Sequence, residues 1–152
     1  MSLAMKRVVI GCFCVAVLAA VGRADLASAS FPRSGDLQVT KECSTYTGHA
    51  GDICTITSSN VDAIEAGSTI VYAQDANFST LTLDSDVVLD LPGPGNNTVS
   101  GHCRVNLVTG VGLCTFSGGT GKFRHFTGSV HVSYLGGPSY AWDGTYSFDP
   151  RD

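Results

Sequence analysis

Between Leu81 and Leu91 the side chains alternate in character. Leu81, Leu83, Ser85, Val87, Leu89 and Leu91 take the odd positions, and Thr82, Asp84, Asp86, Val88 and Asp90 the even ones. Successive side chains of a β-strand point to opposite faces, so this pattern specifies a strand with one apolar and one wet face. The run is long for an ordinary strand, and long strands suit the wall of a barrel. It stops at Pro92-Gly93-Pro94-Gly95-Asn96-Asn97, where prolines and glycines break the ladder.

The same period recurs downstream. Val130, Val132 and Tyr134 alternate with His131, Ser133 and Leu135. Tyr140, Trp142, Tyr146 and Phe148 share one parity, while Ala141, Asp143, Thr145, Ser147 and Asp149 share the other. Gly144 falls within the aromatic face, where a missing side chain marks a bulge or a close approach. Further strands are expected at Gln38–Ser44, Ile53–Ser58, Thr69–Gln74, Val99–Val105 and Gly112–Phe116. Outside the N-terminal segment, only Asn60–Ala66 has room for a turn or two of helix. About eight antiparallel strands at short spacing make a sandwich or a barrel. The fold class expected is all-β: one antiparallel β-barrel over residues 38–150, behind a flexible arm at residues 30–37.

Lys6 and Arg7 precede an apolar run from Val8 to Val21, and small residues follow in Leu26-Ala27-Ser28-Ala29-Ser30. Basic, apolar and small segments in that order make residues 1–29 a secretory signal peptide, with cleavage after Ala29 or, alternatively, after Ala24. About 14 apolar residues fall short of the roughly 20 that span a bilayer. Val9-Ile10-Gly11-Cys12 loosely fits a lipobox, but most of the apolar run would then lie behind the cysteine. The expected location is secreted or periplasmic, with no membrane contact after cleavage. Thirteen acidic residues against nine Lys and Arg give a formal net charge of −4. That balance argues against nucleic acid or an anionic membrane as partner.

Removing Cys12 and Cys14 with the signal leaves Cys43, Cys54, Cys103 and Cys114. Four cysteines allow three connectivities. The repeated ten-residue interval points to Cys43–Cys54 and Cys103–Cys114, each bracketing a glycine-containing turn as a cross-strand staple. Zinc is the rival reading, since His49 and His102 lie close by, but structural zinc sites show tighter Cys spacing.

The segment Gly118-Gly119-Thr120-Gly121-Lys122 invites comparison with a phosphate loop. Phe116 occupies the place of that motif's first glycine, Phe123 the place of its Ser or Thr, and a strand follows instead of a helix. The glycines are read as a tight turn with bulges, with positive φ available at Gly118, Gly119 and Gly121. This segment, with Gly128-Ser129-Val130 and Tyr146-Ser147-Phe148, resembles the structural pattern of the allene oxide cyclase and dirigent barrel superfamily. The resemblance implies an eight-stranded barrel with an apolar lumen, often trimeric. In plant members that lumen holds an oxylipin or a phenoxy-radical intermediate. The two cysteine hairpins depart from the family pattern, and no catalytic carboxylate of the family is carried over to this chain.

His49, His102, His125 and His131 lack metal-binding spacing and are read as surface residues; no metal and no cofactor is expected. Asp84, Asp86 and Asp90 lack the EF-hand glycine and closing glutamate and are read as an outer strand face. There is no G-x-S-x-G elbow. Sequons stand at Asn77 and Asn96. The aromatic row admits two readings. Tyr134, Tyr140, Trp142, Tyr146 and Phe148 either fill the core or line a ligand cavity, since barrels of eight strands do both. Leu81, Leu83, Val87, Leu89, Val130 and Val132 are expected to point inward with them, and His131 and Asp143 outward. Three functions follow as expectations. The first is a non-catalytic barrel that binds an apolar small molecule or self-associates as a dimer or trimer. The others are a cyclase- or dirigent-type enzyme and an interaction module of the cell envelope.

Overall fold

The computed structural model describes residues 32–148. The expected signal peptide at residues 1–29 with Cys12 and Cys14, the start of the expected arm at residues 30 and 31, and the end of the expected domain at 149 and 150 lie outside them.

Eight strands wind once around a closed antiparallel barrel. They are β1 (Ser34–Glu42), β2 (Ile53–Ser59), β3 (Thr69–Tyr72), β4 (Thr82–Leu91), β5 (Asn97–Asn106), β6 (Val111–Gly119), β7 (Phe126–Gly136) and β8 (Ser139–Phe148). Each strand pairs with its neighbours in sequence, and β1 closes the ring against β8 from Ser34↔Ser147 to Glu42↔Ser139. The expected alternation holds on β4, where Leu83, Ser85, Val87, Leu89 and Leu91 are buried and the residues between them face out. Closure pairs the outermost strands and removes the exposed edges that an open sheet would present.

Both disulfides join the expected partners, Cys43–Cys54 and Cys103–Cys114. Cys103 faces Cys114 directly across the β5–β6 hairpin, and Cys43 follows the Glu42↔Thr55 pair of β1–β2. Structural disulfides of this kind belong to oxidising compartments. No helix among the described residues is long and apolar enough to cross a membrane.

The two ends of the barrel differ. One is plugged by Phe123, Phe126, Tyr146 and Phe148, with Phe126 stacked on Tyr146 at 5.9 Å between ring centroids. Asn60–Ala66 adds to this plug as turns and not as a helix, burying Val61, Ala63 and Ile64. The glycine-rich segment belongs to the same end. Thr120 Oγ1 donates to the Asn96 carbonyl at 2.6 Å, and the Lys122 N–H donates to Asn97 Oδ1 at 3.2 Å. A 3₁₀ turn at Gly121–Phe123 then swings Phe123 into the base of the core. Gly118 and Gly121 take positive φ, of 81° and 58°. Gly119 does not, contrary to expectation: it is required because a Cβ there would strike the Thr98 carbonyl oxygen. Gly128 leaves room between Phe116 and Phe126.

Three further expectations are corrected. Ser34–Leu37 is not a flexible arm but the first half of β1, held by Tyr146, Thr145 and Gly144 of β8. Leu81 lies before β4 with φ of 52° and is 43% exposed, because the turn that enters the strand rotates it off the inward parity. Tyr134 is 51% exposed despite its parity. The pairing of β7 with β6 ends at Val132↔Gly112, while its pairing with β8 continues, so the β7–β8 hairpin carries Tyr134 past the rim.

Trp142 sits midway between the ends, 1% exposed and 5.3 Å from the Phe116 ring. Gly144 beside it admits the close approach of Ser129 and Val130 on β7 without any break in register. Trp142→Ala is expected to cost about 3–5 kcal/mol as a core truncation. Equilibrium urea unfolding of both proteins measures the difference.

Candidate functional site

β1 presents Leu37, Val39 and Lys41 inward in turn, so the strand's own alternation drives a lysine into the barrel. Lys41 is 3% exposed. Its ammonium lies under three aromatic rings: Trp142 at 4.7 Å, Tyr72 at 5.3 Å and Tyr140 at 5.8 Å from Nζ to ring centroid. Tyr72 also bonds its nitrogen, with Lys41 Nζ donating to Tyr72 Oη at 2.6 Å. The register places Lys41 directly opposite Tyr140 across the β1–β8 seam, and Trp142 opposite Val39 one step along. β3 supplies Tyr72 by the same inward parity that buries Ile70.

Above this cage the lumen opens as a cavity of about 210 Å³ at the unplugged end. Lys41, Tyr46, Tyr72 and Tyr140 give it polar tips, while Leu83, Val105, Leu107 and Val132 form its apolar wall. The Cys43–Cys54 bridge and Pro138 form its rim. Tyr46 reaches in from the β1–β2 connection, edge-on to Tyr72 at 5.1 Å. Its hydroxyl is buried without a hydrogen-bond partner, as is the Trp142 indole N–H.

The electrostatics follow from burial. Desolvation lowers the Lys41 amine to about 7, and no carboxylate among the described residues lines the cavity to hold the charge. Tyr46 is raised to about 12, chiefly by burial and then by Asp52, Tyr140 and Asp75. Burial likewise raises Tyr72. Asp52 itself is lowered to about 2, because the N–H groups of His49 and Thr47 and the Thr47 hydroxyl all donate to it.

Of the aromatic row, the structure brings Tyr140 and Trp142 to this site and sends Tyr146 and Phe148 to the plug. Tyr134 stays outside the lumen, packed on the outer side of Tyr140 at 5.4 Å. Lys41, Tyr46 and Tyr72 were not singled out from the sequence. The available signal was a lysine on the apolar parity of a strand. The histidines lie away from the cavity. His102 bridges Asp84 at 2.6 Å and Asp86 at 2.9 Å on the outer face of β4 and β5, which raises its pKa and lowers that of Asp86. No group of His, Cys, Asp and Glu suited to a metal occurs among the described residues.

Lys41 makes stability depend on pH. Between about 7 and the ordinary 10.5, the unfolded chain holds a proton that the folded protein has released. Raising the pH across that window therefore favours the folded state, by about 1.4 kcal/mol per unit where the lag is complete. Lys41→Met is expected to abolish that slope and to be more stable than the parent at pH 6. Denaturant midpoints read this directly. Emission from Trp142, the chain's single tryptophan, is expected to titrate near pH 7 in the parent and not in Lys41→Met.

Compared with known proteins, the chain matches no family model, and no curated protein matches it significantly.

Proposed function

We propose that this protein is an exported, non-catalytic barrel that binds a small, largely apolar molecule at the open end of its lumen. The observation that carries this reading is the cavity itself, enclosed by Leu83, Val105 and Val132 and closed below by the Lys41 cage. Its size limits the occupant. Drug-sized ligands fill roughly 300–1,000 Å³, whereas about 150 Å³ of apolar cavity takes a benzene ring. A space of about 210 Å³ therefore fits one ring or a short chain and not a whole oxylipin. The glycine and aromatic pattern similar to the allene oxide cyclase and dirigent barrels supports a lumenal ligand. Export is supported by the N-terminal segment and the two disulfides.

Native mass spectrometry of the gently purified protein is expected to show a bound molecule of about one-ring size. Leu107→Phe, which fills the mouth, is expected to weaken binding at least about tenfold with the fold intact by circular dichroism. Retention of the same ligand by that variant would place it outside the lumen and reject the reading. Turnover of the bound molecule in the same samples would favour an enzyme instead.

A second reading, self-association, is favoured by exposed apolar side chains on one part of the outer wall. Val111, Leu113 and Leu135 are 56%, 42% and 56% exposed on β6 and β7. Sedimentation velocity is expected to show a dimer or trimer that Leu113→Glu with Leu135→Glu disperses; a parent that stays monomeric at high concentration removes this reading.

A further inference from the structure

The polar groups facing the lumen pocket are unbalanced in one direction. A lysine ammonium has three N–H donors and no acceptor. The pocket gives Lys41 a single oxygen, Tyr72 Oη, and otherwise only ring faces. Tyr46 adds a buried hydroxyl with no partner. No Asp or Glu among the described residues lines the cavity, so its polar groups are an uncompensated cationic site and phenol hydroxyls that can donate to an anion.

A buried cation without a counter-ion is unfavourable, and an arriving anion relieves that cost. We propose that the lumen pocket is a receptor for a small aromatic carboxylate, its head group accepting from Lys41 Nζ and Tyr46 Oη while its ring fills the space between Leu83, Val105 and Val132. This rests on the lumenal-ligand reading and narrows it to one chemical class. The complement is one of sign and of size: a carboxylate offers acceptors to an ammonium and a hydroxyl that line the same pocket, and one ring suits the apolar volume.

The groups facing Lys41 from each packed element are Tyr72 on β3, Tyr140 and Trp142 on β8, and Tyr46 from the β1–β2 connection. Asp52 and Asp75 help raise the Tyr46 pKa and so oppose an anion at its hydroxyl, burial being the larger cause. Asp52 is occupied by the Thr47 and His49 N–H groups, and Asp75 accepts from the Ala50 N–H at 2.7 Å. Imine formation between Lys41 and an aldehyde is the poorer complement. It would consume the amine, expel water and supply no negative charge to the buried cationic site.

Titration of the oxidised protein with benzoate, benzyl alcohol and benzylamine, read by Trp142 emission and by calorimetry, tests the proposal. Benzoate is expected to bind at least about tenfold more tightly than benzyl alcohol, and benzylamine not at all. Its affinity is expected to fall about 30-fold from pH 6 to pH 8.5 as Lys41 loses the proton that holds the anion. Lys41→Met is expected to lose benzoate and keep benzyl alcohol, and Tyr46→Phe to bind benzoate several-fold more weakly. Equal binding of benzoate and benzyl alcohol, or benzoate binding that survives Lys41→Met, overturns the anionic head but leaves the apolar pocket standing. Preferential trapping of benzaldehyde on Lys41 over Lys122 by cyanoborohydride, with no benzoate binding, overturns it in favour of imine chemistry. Failure of every ligand, in parent and Lys41→Met alike, rejects the lumenal reading as well.

Discussion

The site depends on one pairing: the seam where β1 meets β8. Lys41 and Tyr140 face each other across that seam, with Trp142 one step away, although nearly the whole barrel separates them in sequence. Without the seam, Ser34–Glu42 and Ser139–Phe148 would be exposed edges, and Lys41 would extend into water with its ordinary pKa. Closure thus does two things at once. It removes the edges, and it moves an amine from solvent to an aromatic cage. The contact is long-range in sequence, so it forms only once the intervening hairpins have brought the ends together.

Closure alone would not produce a cavity, because an eight-stranded barrel is narrow enough to be filled by its own side chains. What distinguishes the two ends here is where the large residues go. Phe123, Phe126, Tyr146 and Phe148 crowd the base, and Gly128 on the same wall gives Phe126 space. At the mouth the inward positions are medium-sized aliphatics, Leu83, Val105 and Val132, whose side chains stop short of the axis. The Cys43–Cys54 bridge ties β1 to β2 at this rim, immediately beyond Lys41. Cys103–Cys114 ties β5 to β6 on the opposite wall, with both cysteines fully buried. Each cross-link removes loop entropy from the unfolded chain, on the order of 3 kcal/mol for a ring of this size.

Much of this was legible in the residues. Period-2 alternation identified β4, β7 and β8, and the equal cysteine spacing identified both bridges, because both signals are local. The errors arose where a local pattern meets a non-local boundary. Tyr134 keeps the parity of Val130 and Val132, yet where the wall ends depends on the length of β6, which the sequence of β7 does not record. Leu81 obeys the alternation of β4 but precedes its first strand residue, Thr82, and its left-handed backbone takes it out of the pattern. Gly119 looked like a turn glycine beside Gly118 and Gly121; its real constraint is the Thr98 carbonyl on a strand elsewhere in the chain. The cage around Lys41 was hidden for a similar reason. Tyr46, Tyr72, Tyr140 and Trp142 come from separate segments, and only the closed ring assembles them.

One clue to the site was nonetheless written in a single strand. Leu37, Val39 and Lys41 occupy successive inward positions, so the most costly side chain to bury is placed where the pattern demands an apolar one. Such a break in consistency between pattern and fold is expected at a functional or strained position. A methionine at Lys41 would satisfy the alternation and fill a similar volume, so packing alone gives no reason for an amine. Ring faces and one tyrosine hydroxyl offset part of the cost, but they leave donors unused and supply no negative charge. The remaining imbalance can be met by something that enters through the mouth. In this barrel the buried amine weakens the empty protein, and a ligand that neutralised it, as proposed for the lumen, would couple binding to stability.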